Sequence, residues 1–323
     1  MSALPPLGIP DSLSVPSLAV VGAGAVGCYF GGMFARAGAA VTLIGRPDHV
    51  AALSQDGLFL DGLRVKERIV VSASTEIAAV ADAAIILLCV KTLDTESAAV
   101  ALAPHLAPGA LVVSLQNGTE NAERIRAVAG ISVLPAVVFV GAQMDGPGQV
   151  KHTGRGDLLV GWPGGEVPNP APKFSAQQFA TLAEQSGIPC KISADIAADL
   201  WIKLIMNCAY NAISALGHVN YGQMLSHPEG KALMEQVIAE AIAVAAAAGI
   251  ALSPKQVNRA VFSLGEGAPG IVSSTAQDIR RGKHTEIDAL NGYLVRRGRQ
   301  LGVPVPANQS LLALIKLLEE SLS

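Results

Sequence analysis

The sequence predicts a doubly wound α/β domain followed by an all-helical domain. The chain has 323 residues, which is long enough for two domains with cores of their own. In the first half, continuous apolar runs alternate with helical stretches, as is typical of parallel strands covered on both faces. After Ser193 only helical periodicity continues. The predicted boundaries are 1–16 for a flexible tail, 17–193 for the α/β domain and 194–323 for the helical domain.

Four strands and a set of sheet extensions can be placed in the first half. The apolar runs in SLAVVGAG, VTLIG, AAIILLCV and ALVVSLQ are predicted parallel strands, and helical stretches follow the first, third and fourth of them. Within GLFLDGLRVKERIVV, Asp61-Gly62 predicts a two-residue hairpin. SVLPAVVFVGAQ, GQVKHT and DLLVGW are predicted as separate strands that extend the sheet in antiparallel fashion. A helix near 177–185 and a short strand near 190–192 complete this half.

The helices of the second half are predicted from their 3.6-residue periodicity. They cover residues 195–217, 228–249, 254–264, 275–281, 285–301 and 307–321. On the first of them, Lys203, Asn207 and Asn211 stand four apart and form one polar stripe on a mostly apolar helix. Periodicity alone leaves two explanations open, a solvated face and a face that meets a small polar ligand.

Composition excludes several classes of protein. Only 4% of the residues are aromatic although half are hydrophobic, so small aliphatic residues must form the core. A net charge of −3 without a strongly basic block argues against nucleic acid or an anionic membrane as partner. Glu240 interrupts the Ala-rich stretch IAEAIAVAAAAGIAL, which favours a buried helix over a membrane span. The tail lacks the features of a signal peptide, so we expect a cytoplasmic protein.

The cysteines and histidines give no sign of a metal site. Cys28, Cys89, Cys190 and Cys208 are scattered, as expected of buried thiols in a reducing compartment. A position near a helix N-terminus could lower the pKa of Cys28, but an inert buried thiol is the favoured interpretation. The six histidines show no metal-ligand spacing, and neither HExxH nor GxSxG occurs. Metal-dependent and serine-nucleophile chemistry are therefore disfavoured.

A glycine pattern follows the first strand. Gly22, Gly24 and Gly27 in VVGAGAVG match GxGxxG, and the strand–loop–helix context is that of a dinucleotide-binding Rossmann-type domain. Gly22 permits the tight turn, Gly24 lets the backbone approach a pyrophosphate, and Gly27 allows close helix–strand packing. The helix start at Ala25 and Val26 supplies N–H donors for phosphate. Glycines kept only for packing are the weaker alternative.

Three further strand ends carry polar residues that could face a cofactor. After the second strand, where an NAD site places an acid, the chain has Gly45-Arg46, and a guanidinium there suits the extra phosphate of NADP. An unrelated surface arginine is the weaker alternative, and we expect NADPH as the cofactor. Lys91 and Asn117 follow the next two strands, whose carboxyl ends border the ligand crevice in such sheets. The helical pattern after Asn117-Gly118 predicts a crossover there.

Two helix starts in the second half have competing explanations. Ser274 with Gln277, and Thr285 with Asp288, match the spacing of a capping box. Glu286 would also be favoured by the dipole of a first helical turn. On spacing alone, capping explains both sites without any catalytic role.

Taken together, the motifs resemble the ketopantoate reductase family (2-dehydropantoate 2-reductase). The resemblance runs from about Leu18 to Leu301 through GAGAVG, IGR, CVKT, SLQNG, KLIMNCAYNAISAL, SSTAQDI and HTEID. It implies NADPH-dependent reduction of a 2-keto acid to a 2-hydroxy acid on the pathway to pantothenate. The small-molecule keto acid would be the partner, with no nucleic acid and no membrane. Association into a homodimer is a further possibility that the sequence does not decide.

The resemblance also implies roles for single residues. Lys203 matches the catalytic lysine and Asn117 the residue that positions it, while Glu286 matches the acid that binds the substrate hydroxyl. Ser274 matches a ligand of the substrate carboxylate, and Asn207 and Asn211 match two asparagines that line the same pocket. Arg46 matches the residue at the extra phosphate of the cofactor, and Lys91 matches a residue beside the cofactor.

Two positions depart from the family pattern. Ile271 stands where some members have a polar side chain, and Asn220 is an uncertain match to a residue that frames the substrate. These departures keep a paralogous reductase of another 2-keto acid as an alternative. A non-catalytic NADPH-binding regulatory protein is a second alternative, but it would not need Lys203, Asn207 and Glu286 together.

Overall fold

The structure, a computed structural model, describes residues 16–63 and 65–321. The chain divides into two compact units, Met1–Ile196 and Ala197–Ser323. Apart from Pro16, the predicted tail over 1–16 lies outside the described residues. No helix within the described ranges is long and apolar enough to cross a membrane.

The first unit is built on a sheet that has ten strands in the described ranges. They are β1 (Leu18–Val21), β2 (Val41–Ile44), β3 (Leu58–Asp61), β4 (Lys66–Ile69), β5 (Ser72–Ser74), β6 (Ile85–Leu88), β7 (Leu111–Ser114), β8 (Val133–Gly146), β9 (Gln149–Val160) and β10 (Cys190–Ile192). The helices of this unit are α1 (Ala25–Arg36), α2 (Pro47–Asp56), α3 (Thr95–Leu102), α4 (Asn121–Ala129) and α5 (Ala176–Gln185).

Strands β5-β2-β1-β6-β7-β8 form a parallel array in that order. Strand β9 pairs antiparallel with β8 and parallel with β3 and β10, and β4 closes the other edge as the antiparallel partner of β3. The chain leaves β1 for β2 on one side and later returns to β6 on the other. The loop after β1 therefore lies at the topological switch point, where ligands bind in such sheets.

Both faces of the parallel strands are buried. Along β1, Leu18 and Val20 pack into one apolar cluster with α1 and α5, whereas Ala19 and Val21 pack into another with α3 and α4. This explains why the strands read as continuous apolar runs, since each face meets a layer of helices. The predicted Rossmann-type α/β fold is confirmed.

Two details of the predicted sheet are wrong. GQVKHT and DLLVGW belong to one strand, β9, which passes Gly154 and Gly156 through register shifts against β8 instead of ending there. The Asp61-Gly62 hairpin exists, but Asp61 pairs with Lys66, so its loop is longer than two residues. Neither Asp61 nor Gly62 has the positive φ that a two-residue type I′ turn requires.

The second unit is helical throughout its described part. Its helices are α6 (Ile196–Gly217), α7 (Tyr221–Ser226), α8 (Pro228–Ala247), α9 (Pro254–Gly267), α10 (Ser274–Arg280), α11 (Asn291–Leu301) and α12 (Pro306–Glu320). The short α7 was not predicted, although its capping box between Asn220 and Gln223 is visible in the sequence. The helix predicted over 285–301 is divided, because Leu290 (φ −103°, ψ −103°) leaves the helical region.

Glu240 has a structural role that explains its place in the Ala-rich helix α8. Its carboxylate accepts hydrogen bonds from the N–H groups of Ala307 (2.8 Å) and Asn308 (3.0 Å) at the start of α12, and from Asn308 Nδ2 (2.8 Å). Asn308 Oδ1 in turn accepts from Asn291 Nδ2 at 3.0 Å. A carboxylate at a helix N-terminus satisfies donors that lack intrahelical partners. The acid thus ties three helices together.

Candidate active site

The glycines of the loop after β1 differ in what surrounds them. Gly22 has φ +101°, and a Cβ added there would lie 2.7 Å from Val90 N. A Cβ on Gly27 would overlap Gly22 O. A Cβ on Gly24, in contrast, would have no atom of the described residues within 4 Å apart from its own neighbours in the chain. The fold itself therefore requires glycine at Gly22 and Gly27, whereas the space beside Gly24 is open for a ligand.

The start of α1 offers backbone donors beside that open space. Its first intrahelical bond runs from Cys28 N–H to Gly24 O at 2.8 Å, so the N–H groups of Ala25, Val26 and Gly27 have no partner within the helix. Among the described residues no side chain caps this end, and its first turn has no acidic residue. Unsatisfied donors and the positive end of the helix dipole favour an anion such as a pyrophosphate.

Cys28 is fully buried one turn into α1. Burial raises the pKa of its thiol to about 12, which agrees with the interpretation as an inert thiol. His49 Nδ1 accepts from Gly148 N–H at 2.8 Å, so its Nε2 carries the proton and faces Cys28 Sγ at 3.2 Å. Burial lowers the pKa of His49. This pair links α1 to α2 and, through His49, to Gly148 between β8 and β9, and it is not built as a nucleophile.

Arg46 lies directly after β2, as the residue that precedes α2. Its side chain is exposed. The guanidinium makes no hydrogen bond or ion pair within the described ranges. It is therefore able to pair with an anionic group of a ligand, as two parallel N–H donors do with phosphate.

A buried polar network fixes the ends of β6 and β7. Gln116 Nε2 donates to Val90 O (3.1 Å) and to Thr95 Oγ1 (2.7 Å), which links the two strand ends. The backbone carbonyl of Asn117 accepts from Thr92 Oγ1 (3.0 Å) and Asn121 Nδ2 (2.6 Å). Lys91 and Asn117 thus stand on neighbouring strand ends whose backbone is held in place. The sequence showed Gln116 only as a polar end to an apolar run, and its role as a clamp was missed.

The polar stripe on α6 runs from partly exposed to buried surroundings. Lys203 and Asn207 are half-buried, whereas Asn211 is only 3% exposed. Asn211 Nδ2 donates to Ser274 Oγ at 3.4 Å. The stripe is therefore not a wholly solvated face, and the structure brings together two residues that the sequence placed on separate helices.

The capping boxes predicted around Ser274 and Glu286 are wrong. Ser273, not Ser274, is the N-cap of α10 and accepts from Ala276 N–H at 3.0 Å. Ser274 is the first helical residue, and its side chain is exposed. Thr285 Oγ1 accepts from Ile287 N–H, two residues on, instead of forming a box with Asp288. Capping therefore does not explain Ser274. Glu286 is half-buried and directly precedes the short 3-10 turn Ile287–Ala289, and its side chain makes no capping bond there.

Comparison with known proteins covers both units. Residues 18–164 match the family described as Ketopantoate reductase PanE/ApbA, and residues 195–319 match the C-terminal region of the same family. A 2-dehydropantoate 2-reductase from Halobacterium salinarum is 34% identical over 303 residues, which is 92% of this chain and 97% of the relative. The chain belongs to the ketopantoate reductase family. The resemblance found in the sequence is confirmed, and membership places the chain among the oxidoreductases.

Solved structures of ketopantoate reductase family members agree with the fold. A PanE/ApbA family ketopantoate reductase from Ralstonia eutropha JMP134 is 46% identical with a TM-score of 0.87, covering 95% of this chain and 99% of its own. A putative ketopantoate reductase from Ralstonia solanacearum MolK2 is 28% identical with a TM-score of 0.81 over the same shares. The helical second unit is thus a regular part of the family fold.

Proposed function

We propose that the protein reduces 2-dehydropantoate to pantoate with NADPH, as a step of pantothenate biosynthesis. The observation that carries the proposal is the stripe Lys203, Asn207 and Asn211, whose buried end is hydrogen-bonded to Ser274. It combines a cation with uncharged donors and acceptors, the groups that a keto acid needs. Family membership and the names of relatives such as that from Halobacterium salinarum support the substrate.

The first unit has groups that fit the cofactor. The open space at Gly24 and the free N–H groups of Ala25 to Gly27 suit the pyrophosphate. Arg46 suits the phosphate that distinguishes NADPH from NADH, and Lys91 and Asn117 are proposed to lie along the same ligand. When bound, the reduced nicotinamide supplies the hydride for the ketone carbon.

The second unit supplies the proton and the substrate contacts. Negative charge develops on the ketone oxygen, and the ammonium of Lys203 is proposed to stabilise this charge and to donate the proton from Nζ. Half-burial makes such a charge more effective than it would be in water. The Ser274 hydroxyl and the Asn211 and Asn207 amides are proposed to hold the substrate, with Glu286 accepting from its hydroxyl.

Asn117 is proposed to orient Lys203. Because the two residues belong to different compact units, a double-mutant cycle is the appropriate test. If Asn117 acts through the lysine, the loss of kcat in Asn117→Ala and Lys203→Ala should be strongly non-additive. Additive losses would show that Asn117 has an independent role.

The decisive experiment measures NADPH oxidation with 2-dehydropantoate as the only added substrate. We expect kcat/KM to be higher than for other 2-keto acids in a panel, and higher with NADPH than with NADH. A better substrate within the panel would indicate a paralogous reductase. NADPH binding without oxidation by any keto acid would indicate a non-catalytic regulatory protein.

A further inference from the structure

Two buried serines lie directly behind the proposed substrate contacts, and neither is needed for the chemistry. Ser273 is 1% exposed and Ser214 is fully buried. Ser214 lies on α6 one turn beyond Asn211, and Ser273 immediately precedes Ser274. Each therefore belongs to the same short segment as one member of the Asn211–Ser274 pair.

Hydrogen bonds of the two serines join α10 to α6. Ser273 Oγ donates to Asn211 O at 3.0 Å and accepts from Ala276 N–H at 3.0 Å. Ser273 N–H donates to Ser214 Oγ at 3.2 Å, and Ser214 Oγ donates to Val219 O at 2.7 Å. Both hydroxyls thus act once as donor and once as acceptor, which commits the single O–H donor of each to a backbone carbonyl.

This arrangement sets the position of Ser274 relative to Asn211. The link from Asn211 Nδ2 to Ser274 Oγ is long, at 3.4 Å, so it is too weak to align the two helices by itself. The Ser273 hydroxyl holds the backbone of Asn211, and the Ser214 hydroxyl holds the backbone of Ser273. The distance between the two substrate contacts therefore depends on this pair of serines.

We propose that Ser273 and Ser214 are positioning residues for substrate binding, which hold the start of α10 on α6 so that Ser274 and Asn211 act as one carboxylate-binding pair. The proposal rests on the proposed reduction of a keto acid. The pair acts on the bound carboxylate, which is the same in the ground state and the transition state. Loss of its alignment should therefore raise KM and leave kcat nearly unchanged.

Replacement of Ser273 is compatible with folding. The segment before α10 is held independently, because Tyr221 N–H donates to Ile271 O at 2.9 Å and Gly222 N–H donates to Pro269 O at 2.8 Å. In Ser273→Ala we expect the KM for the keto acid to rise about tenfold, the size expected when a hydrogen bond to a charged group is lost. The NADPH dissociation constant and kcat should stay within about threefold.

Three further variants separate positioning from stability. Ser214→Ala removes the other half of the pair and should also raise KM. Ser273→Thr keeps the hydroxyl and should restore the wild-type KM. Ser253→Ala is the matched control, because Ser253 caps the neighbouring helix α9 by accepting from Gln256 N–H; its melting temperature should fall while KM does not change.

The experiment measures kcat and KM for the keto acid, NADPH affinity by fluorescence and melting temperature for all four variants. A raised KM in Ser273→Ala and Ser214→Ala, absent from Ser253→Ala and Ser273→Thr, supports the proposal. If these two variants lose melting temperature but keep KM, the serines are structural and the proposal is overturned. A wild-type protein that reduces no keto acid overturns the proposed function, and this inference with it.

Discussion

The two compact units present their candidate ligand-binding groups in different ways. In the first unit the groups are largely backbone: a glycine loop, the first N–H groups of α1 and the ends of buried parallel strands. In the second unit they are side chains, and buried serines such as Ser273 and Ser214 hold the segment that carries Ser274. Elsewhere in this unit, the Glu240–Asn308–Asn291 chain joins three helices through polar side chains.

This difference determines which substitutions each unit should tolerate. A site made of backbone depends on the path of the main chain, so a change matters where a new side-chain atom has no room. A site made of side chains depends on each hydrogen-bond partner, since a buried group that loses its partner keeps the full cost of desolvation. The predictions below test the contrast, beginning with the largest effect.

Lys203→Ala should have the largest effect on activity. General acid catalysis typically contributes about a hundred- to ten-thousand-fold, so kcat should fall by that order while NADPH binding persists. Lys203→Arg should rescue poorly, because a guanidinium does not release its proton at working pH. Single-turnover NADPH oxidation at saturating substrate is the measurement. A rate within a few-fold of wild type would mean that the α6 stripe has no acid role.

Glu240→Ala tests the side-chain network of the second unit. It leaves the donors of Ala307 and Asn308 without their carboxylate, and hydrogen bonds to charged groups are worth about 1.5–3 kcal/mol each. We expect the free energy of unfolding to fall by at least about 1.5 kcal/mol, measured by denaturant titration. Glu240→Gln should recover part of the loss. An unchanged midpoint for the alanine variant would contradict the role of this network.

Gly27→Ala and Gly24→Ala form a matched pair in the backbone-built site. The Gly27 methyl would meet the carbonyl of Gly22, and overpacking of this kind typically costs about 1–3 kcal/mol. Gly24→Ala has open space in the described structure, so the melting temperature should hardly change while nucleotide affinity falls. Thermal unfolding and fluorescence titration separate the two. Equal loss of stability in both variants would refute the assignment of the Gly24 space to a ligand.

Arg46 is an exception in the first unit, because its proposed contact with the cofactor is made by a side chain. Arg46→Gln should weaken NADPH binding by about tenfold. This is the low end of the effect expected when a hydrogen bond to a charged group is lost, because the side chain is exposed to water. NADH binding should be almost unaffected. Arg46→Asp should weaken NADPH binding further, because its carboxylate adds repulsion against the phosphate. The readout is the ratio of the two dissociation constants, and an unchanged ratio would remove Arg46 from the phosphate site.

His49 is a second, smaller exception, a half-buried side chain that links elements inside the first unit. Burial lowers the pKa of His49 from its ordinary value of 6.5, so the unfolded chain binds this proton more readily. The neutral form of His49 therefore contributes to the free energy of unfolding above the unfolded-state pKa. This contribution is lost as pH falls below about 6.5 toward the folded-state pKa. Denaturant titrations across this range should show a loss of stability that is reduced in His49→Gln. If the wild type and His49→Gln lose stability equally as pH falls, another titratable group causes the loss.

The elements that sequence predicted well are those fixed by neighbouring residues. The parallel strands, the Gly22–Gly27 loop and the helical second half follow from local period and turn chemistry, and the structure has them. The single strand β9 was missed because its continuity depends on pairing with β8, not on its own glycines. Ser273 was missed as the cap because two adjacent serines fit almost the same spacing.

The candidate site could be predicted only in part for a related reason. The spacing of Lys203, Asn207 and Asn211 shows that they share a helix face, but not which group meets it. The contact of Asn211 with Ser274 joins positions 63 residues apart, and the bonds of Glu240 join positions 67 and 68 residues apart. Such pairings depend on tertiary packing, which a local pattern does not contain.

The burial of the thiols has a practical consequence for labelling. Cys28 and Cys190 have pKa values raised to about 12, and burial also raises the pKa of Cys89 and Cys208. Maleimides react with the thiolate, which is scarce at neutral pH for such groups. The wild-type protein should therefore react slowly and need little reductant. A cysteine introduced at Val70, which is 93% exposed, could carry a fluorophore without prior removal of the native thiols.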